Sequence, residues 1–309
     1  MKTLSLPGID VPASNIILGL MRIQSLSDSE VQQLIGAARE VGVNFFDHAD
    51  VYGSGPHGCE QRFGEAIRFT PSEREQVLIQ SKVGIRDGFW DFSKEHILES
   101  VDESLAALRT DYLDILLLHR PDTLMEPEEI AEAFDTLSAA GKVRHFGVSN
   151  QTPGQVELLK RSLHQPIFIN QVQLSITHAA LLAQGVAANM AGLDQSIDRD
   201  NGILEYSRLN GITLQAWSPF QKGFFDGVFV GDRDAFPELN DQLESLAEKY
   251  GVTPTGIAVA WIARHPANMQ IVLGTTKPER VRESAAGSDL PLTREEWYGL
   301  FQAAGHILP

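Results

Sequence analysis

The sequence holds a single cysteine, Cys59, in 309 residues. That excludes an intramolecular disulfide and suits a reducing compartment, so a cytoplasmic protein is expected. Cations are also scarce: 25 Lys and Arg face 41 Asp and Glu, a formal net charge of −16. A chain this acidic is not expected to bind nucleic acid or an anionic membrane through general electrostatics. No apolar run approaches the ~20 residues of a membrane-spanning helix. The opening MKTLSLPGIDVPASNIILGL has one lysine and an early Pro and Gly, which does not read as a secretory leader. Low-complexity, repetitive and Pro-rich segments are missing as well, so residues 1–309 are expected to form one domain. What remains is ordinary for a globular chain with a large core, 43% hydrophobic and 21% charged.

Short apolar runs at 16–20, 44–46, 76–82, 112–119, 143–149, 167–173, 212–217 and 270–274 alternate with helical stretches. Several are apolar on consecutive residues, as parallel strands buried on both faces require. The stretch 27–42 has Ser27 as N-cap and Gly42 just beyond its C-terminus. The stretch 93–109 has Ser93 as N-cap and apolar residues at 97, 98, 101, 105 and 108, a helical period. Eight β-runs, each followed by helix, predict an α/β fold of the (β/α)8 TIM-barrel class rather than two Rossmann halves. Residues before Ile16 are expected to form a hairpin closing the bottom. The long connections 83–93, 174–202 and 218–239 are expected to crown the C-terminal face, where substrate is held.

The stretch Asp47–Glu60, DHADVYGSGPHGCE, supports three readings. Gly53, Gly55 and Gly58 have the spacing of a dinucleotide fingerprint, but such a fingerprint begins directly after a strand. Here six residues separate Phe46 from Gly53, and Pro56 interrupts the pattern. His48, Asp50, His57 and Cys59 could ligate a metal, and a metal-dependent barrel hydrolase using His48, His57 and His119 is one alternative. All four candidates come from one loop, however, whereas barrel metal sites draw on several strand ends. Cys59 then reads as a packing residue at a helix start and His57 as a surface loop residue. In the third reading Asp47 ends the second run, Tyr52 follows it, and Lys82 and His119 end the third and fourth runs. Adjacent strand ends converge on the C-terminal face of a barrel, so these four can share one pocket.

The ordered segments NFFDHADVYG, SKVG, LLLHRPD, GKVRHFGVSN, NQVQLS, AWSP and LGTTKPERVRES, between residues 44 and 284, resemble the motifs of the aldo-keto reductase family. The resemblance implies a (β/α)8 barrel that binds NADPH without a Rossmann domain and reduces aldehydes and ketones to alcohols. Its partner is then a small-molecule carbonyl substrate. Tyr52 becomes the general acid. Its ordinary pKa is about 10, and the neighbouring ammonium of Lys82 is expected to lower it. Asp47 holds Lys82 in place, and His119 hydrogen-bonds the substrate oxygen as charge develops.

The same resemblance assigns Ser149, Asn150 and Gln171 to the nicotinamide amide, with Trp217 stacked on the ring where many relatives have Tyr. Ser218, Phe220, Gln221 and Gly223 open a loop over the pyrophosphate. Lys277 and Arg280 are expected to bond a 2′-phosphate at the start of the last-run helix, which Thr275 or Thr276 can cap, and Gly274, Thr275 and Thr276 are further expected cofactor contacts. Glu283 faces the adenine amine, and Ser284 stands where many relatives have Asn. His48 and Arg120 stand where relatives often have Thr and Trp. Met21, Val51, Phe89, Trp90 and Phe224 are expected to line a partly apolar substrate pocket. Arg120 would either attract an acidic substrate or pair with Asp122. A non-catalytic NADPH-binding redox sensor on the same barrel is the second alternative.

Overall fold

The computed structural model describes residues 1–309. Its strands are β1 Thr3–Leu4, β2 Ala13–Ser14, β3 Ile16–Gly19, β4 Phe45–Asp47, β5 Leu78–Val83, β6 Leu113–Leu118, β7 Val143–Ser149, β8 Ile167–Gln173, β9 Thr213–Trp217 and β10 Gln270–Leu273. The helices are α1 Asp28–Glu40, α2 Gly58–Ala66, α3 Pro71–Arg74, α4 Lys94–Leu108, α5 Pro127–Ala139, α6 Pro153–Lys160, α7 Ala180–Val186, α8 Ile203–Leu209, α9 Pro237–Tyr250, α10 Pro254–Ala263, α11 Pro278–Ala286 and α12 Arg294–Ala303. Strands β3 to β10 pair in sequence order, all parallel, and β10 returns to β3 to close an eight-stranded barrel. This is the (β/α)8 architecture the alternation of runs predicts.

The consecutive apolar residues now have a physical reason. On β5 and β6, Leu78, Ile115 and Leu117 face the barrel interior, while Ile79, Val83, Leu116 and Leu118 join the larger core between strands and helices. Both faces are covered, so neither needs polar residues. Along the inward row of β5, Leu78 gives way to Gln80 and then Lys82, so polarity rises toward the C-terminal end. The β1–β2 hairpin pairs antiparallel, and Leu6 and Ala13 pack against Ile17, Phe45, Leu78 and Ile115, sealing the opposite end.

The helix signals hold locally. Ser27 and Glu30 form a capping box at α1, Gly42 follows that helix at φ +85°, and Ser93 caps α4 by accepting from the His96 N–H. Helix α2 approaches α4 at Gly64, where a Cβ would lie 2.1 Å from the Ala107 carbonyl oxygen. The long connections are more structured than bare loops. Residues 174–202 contain α7 and a 3₁₀ turn at Asp194–Ser196. Isolated antiparallel bridges, Ile85 with Trp90 and Gln221 with Val228, fold the other two. No helix is long and apolar enough to cross a membrane.

Candidate active site

Asp47 and Lys82 lie on the inward faces of neighbouring strands, and both are buried. The Lys82 ammonium donates to Asp47 Oδ2 at 2.7 Å, to the His48 carbonyl at 2.7 Å and to the Tyr52 hydroxyl at 3.1 Å. These three bonds use all of its donors. Tyr52 reaches Lys82 because the chain after β4 turns tightly. The Tyr52 N–H donates to the Ala49 carbonyl, and the Cys59 N–H donates to the Tyr52 carbonyl at 2.9 Å. His119, just past β6, sits edge-on to the Tyr52 ring with centroids 5.7 Å apart. The four sequence-predicted residues thus occupy one place at the C-terminal mouth.

The charge states differ from expectation in one respect. Burial raises the Tyr52 pKa and outweighs the opposing pull of Lys82, so the net shift is upward rather than downward. Burial opposes the charge on Lys82, but Asp47 and Tyr52 overcome it and raise its pKa. Burial, aided by Lys82 and Arg120, drops His119 well below the usual histidine range, so its imidazole is neutral near pH 7. The site therefore pairs a protonated phenol with a charged ammonium and a neutral imidazole.

The metal candidates of the same stretch face different partners. His57 is not a surface loop residue: its Nδ1 lies 2.5 Å from buried Glu60 and its Nε2 3.1 Å from Glu103. Cys59 packs at the start of α2, its thiol directed to the Met21 carbonyl. His48 is buried edge-on to Phe63, and burial lowers its pKa to about 4. No three His, Cys, Asp or Glu side chains converge to hold a metal ion.

Ser149, Asn150, Gln171 and Trp217 come together on adjoining strand ends. Ser149 donates to the Gln171 carbonyl, Asn150 Nδ2 to Ser149 Oγ, and Trp217 Nε1 to Asn150 Oδ1 at 3.2 Å. Gln171 Nε2 also binds Asp47 Oδ1 and Gln215 Oε1. Ser218 turns the chain at φ +53° into a folded arch. Within it Gln221 accepts from the Phe225 N–H, the Gly223 carbonyl accepts from Gln173, and the Phe220 carbonyl accepts from the Phe229 N–H. Gly274 is exposed and Thr276 partly so at the entry to α11, where Lys277 and Arg280 are exposed and have no carboxylate within ion-pair distance. Neither threonine caps the helix: Lys277 is the N-cap residue, and Thr275 Oγ1 instead accepts the Lys277 N–H in a turn. Arg282 turns away to Glu40. Glu283 is partly exposed, whereas Ser284 is buried with its hydroxyl donating to the Arg280 carbonyl, which directs it into its own helix. Of the lining residues, Val51, Phe89, Trp90 and Phe224 are exposed at the mouth and Met21 is partly buried. Asp122 closes a turn with the Leu124 N–H and does not pair with Arg120.

The sequence profile of the Aldo/keto reductase family matches residues 15–303. The chain belongs to the aldo-keto reductase family. This aldo-keto reductase is 35% identical to an uncharacterized oxidoreductase, YcsN, of Bacillus subtilis, over 97% of each chain. It is 33% identical to a 6-dehydroglucose reductase of Agrobacterium fabrum, over 94% of each. Its fold is similar to that of a thermostable aldo-keto reductase, Tm1743, crystallised with the inhibitor epalrestat, with a TM-score of 0.77 at 26% identity over 98% of this chain and all of that one. The protein is thus an oxidoreductase of a family that typically binds a nicotinamide cofactor.

Two groups supporting this site escape the motif reading. Gln80, Gln215 and Gln270 join the expected Gln171 in a hydrogen-bonded band across the barrel interior that ends on Asp47. Stepping back two residues from Lys82 and Trp217 along their strands would have found Gln80 and Gln215. Behind the Tyr52 loop, buried Glu60 accepts from Ser104, and Ser81 also donates to it. Buried Asp50 accepts from the Gly84 N–H and Ser100. Long-range partners of this kind leave no local spacing signal.

Proposed function

We propose that this aldo-keto reductase reduces aldehyde or ketone carbonyls with NADPH, using Tyr52 as the general acid. The observation that carries this reading is the Lys82 ammonium bonded at once to Asp47 and to the Tyr52 hydroxyl, beside a neutral His119. The residues present fit the cofactor. Trp217 offers a partly exposed ring, and Ser149, Asn150 and Gln171 supply the mixed donors and acceptors that a carboxamide needs. Lys277 and Arg280 are unpaired cations at a helix start in an acidic protein, which suits a 2′-phosphate. When bound, the reduced nicotinamide supplies the hydride.

The chain's own residues manage the proton. A raised Tyr52 pKa keeps the phenol protonated and ready to donate to the carbonyl oxygen. Lys82 stabilises the phenolate this leaves, and Asp47 fixes Lys82 through Oδ2 while its Oδ1 accepts from Gln80 and Gln171. His119 donates a hydrogen bond to the same oxygen. In the oxidative direction Tyr52 acts as the base.

The deciding experiment is Tyr52→Phe, assayed on an aldehyde and ketone panel alongside NADPH fluorescence titration. The expected result is turnover reduced by about 10²-fold or more with cofactor affinity retained. Undiminished turnover would remove Tyr52 as the acid. A wild-type protein that retains NADPH but turns over nothing on the panel would favour the redox-sensor reading.

A further inference from the structure

Of all the arginines, only Arg62, Arg74 and Arg120 are not exposed. Arg62 pairs with Asp28 and Glu65, and Arg74 pairs with Asp114 at 2.8 Å. Arg120 has no carboxylate within ion-pair distance and donates no hydrogen bond. Its guanidinium lies over the Trp217 ring at 5.4 Å and the Phe224 ring at 5.9 Å. Burial pushes its pKa down, and Tyr52 is the one neighbour that pushes back. In a chain with 41 acidic residues, a partner would have been easy to supply. Asp122, two positions on, is instead engaged with the Leu124 N–H.

Stacking on aromatic rings does not account for this placement. Cation–π contact uses the face of the guanidinium, whereas its five N–H donors project from the edge. A partly desolvated cation without an acceptor is unfavourable unless something completes it. The position of the group says what would do so. Arg120 directly follows His119, and its charge is felt by both His119 and Tyr52. Its contact with the Trp217 ring at the end of β9 puts the guanidinium at the same mouth as His119 and Tyr52.

Resting on the reductase reading above, we infer that Arg120 docks an oxyanion on the carbonyl substrate, a carboxylate or a phosphate, so that anionic aldehydes and ketones are the preferred class. The planar fork matches either oxyanion with two parallel hydrogen bonds. The neighbouring Trp217 and Phe224 rings partly shield the guanidinium from water, which strengthens the pair. A site holding an unpaired donor set also discriminates against neutral analogues, which leave it unpaired.

The test compares matched probes with NADPH: benzaldehyde against 4-carboxybenzaldehyde, and D-glyceraldehyde against its 3-phosphate. The expected kcat/KM advantage of an anionic member is about tenfold to a hundredfold, the range of one charge-assisted hydrogen-bonded pair. It is carried mainly by KM and shrinks as salt is added. Preference confined to the first pair identifies a carboxylate, and to the second a phosphate. In Arg120→Gln the anionic-to-neutral ratio is expected to collapse toward one, with partial recovery in Arg120→Lys. A wild-type ratio near one on both pairs, or a ratio that survives Arg120→Gln, overturns the inference while leaving the reductase reading intact. No NADPH oxidation with any of the four probes sinks the reductase reading and this inference with it.

Discussion

At the scale of single residues, the proposed catalytic arrangement depends on one buried ammonium. Replacing Lys82 with Met would leave the Asp47 carboxylate buried without its cation, although Gln80 and Gln171 still donate to it. An uncompensated buried charge of this kind costs about 3–5 kcal/mol. Lys82→Met is therefore expected to lower Tm and to cut kcat by about 10²–10⁴-fold. Circular-dichroism melts and steady-state rates check both, and a variant with native Tm and rate would show that the bond to Asp47 carries neither function. Arg280→Ala is expected to weaken NADPH by about tenfold to a hundredfold and NADH hardly at all. Equal loss for both cofactors would place Arg280 elsewhere on the dinucleotide. The meeting of Asp47, Tyr52, Lys82 and His119 was legible in the sequence because each lies at or just after one of three successive strand ends, which converge on the C-terminal face. The direction of the Tyr52 shift was not, because it depends on how completely the fold dehydrates the phenol, and no spacing reports that.

At the scale of elements, the loop that carries Tyr52 is anchored from behind. Its far end, His57, binds Glu60 at the start of α2, and Glu60 in turn meets Ser81 beside Lys82 and Ser104 on α4. Helix α2 can lie this close to α4 only because residue 64 is glycine. Gly64→Ala places a methyl group against the rigid Ala107 carbonyl, so α2 must move. The expected destabilisation is about 3 kcal/mol, the upper part of the range for overpacking. It should come with a loss of kcat that exceeds any change in NADPH affinity. Urea unfolding and kinetics together check this; destabilisation without a kinetic effect would mean that Tyr52 does not depend on α2. The strands and most helices were legible from period and caps. Helix α7 was not picked out within 174–202, a stretch whose Ala- and Gly-rich sequence shows little amphipathic contrast. His57 looked like loop surface because both of its carboxylate partners, one of them 46 positions away, are brought to it by α2 and α4.

At the scale of the whole molecule, two buried groups shape the dependence of stability on pH with opposite signs. His48 has its pKa lowered from 6.5 to about 4 by burial. Its contribution is present above pH 6.5 and is lost as the pH falls through about 4, since only the unfolded chain takes up the proton in that window. Asp50 has its pKa raised from 3.8 to about 6, mainly by burial and then by Glu60. Its contribution is present below pH 3.8 and is lost as the pH rises through about 6, because the folded chain holds the proton longer. Each shift corresponds to about 3 kcal/mol, so the two nearly cancel between pH 6 and 4. Asp50→Asn is expected to be more stable than the parent near pH 7 by up to about 3 kcal/mol and to lose that margin on acidification. Denaturant midpoints across this range check the prediction, and parallel profiles for the two proteins would contradict it.

The barrel also has two ends with unequal freedom. The hairpin plug of Leu6 and Ala13 shares one apolar cluster with residues of β3, β4, β5, β6, β8 and β10, so a change there is felt by several strands together. The Ile85–Trp90 ribbon is exposed over residues 86–90 and is held mainly by bonds within itself and to Gly84, whereas the arch at 218–231 is anchored by buried Phe229, by Gln173 and Ser175 on its carbonyls and by Asn240. Grafting the corresponding ribbon of other aldo-keto reductases onto this chain should therefore exchange substrate range while preserving the melting temperature, and a graft that lowers the melting temperature would contradict this. The molecule is in this sense a chassis with a replaceable front, and its rigidity is kept at the end that no substrate visits.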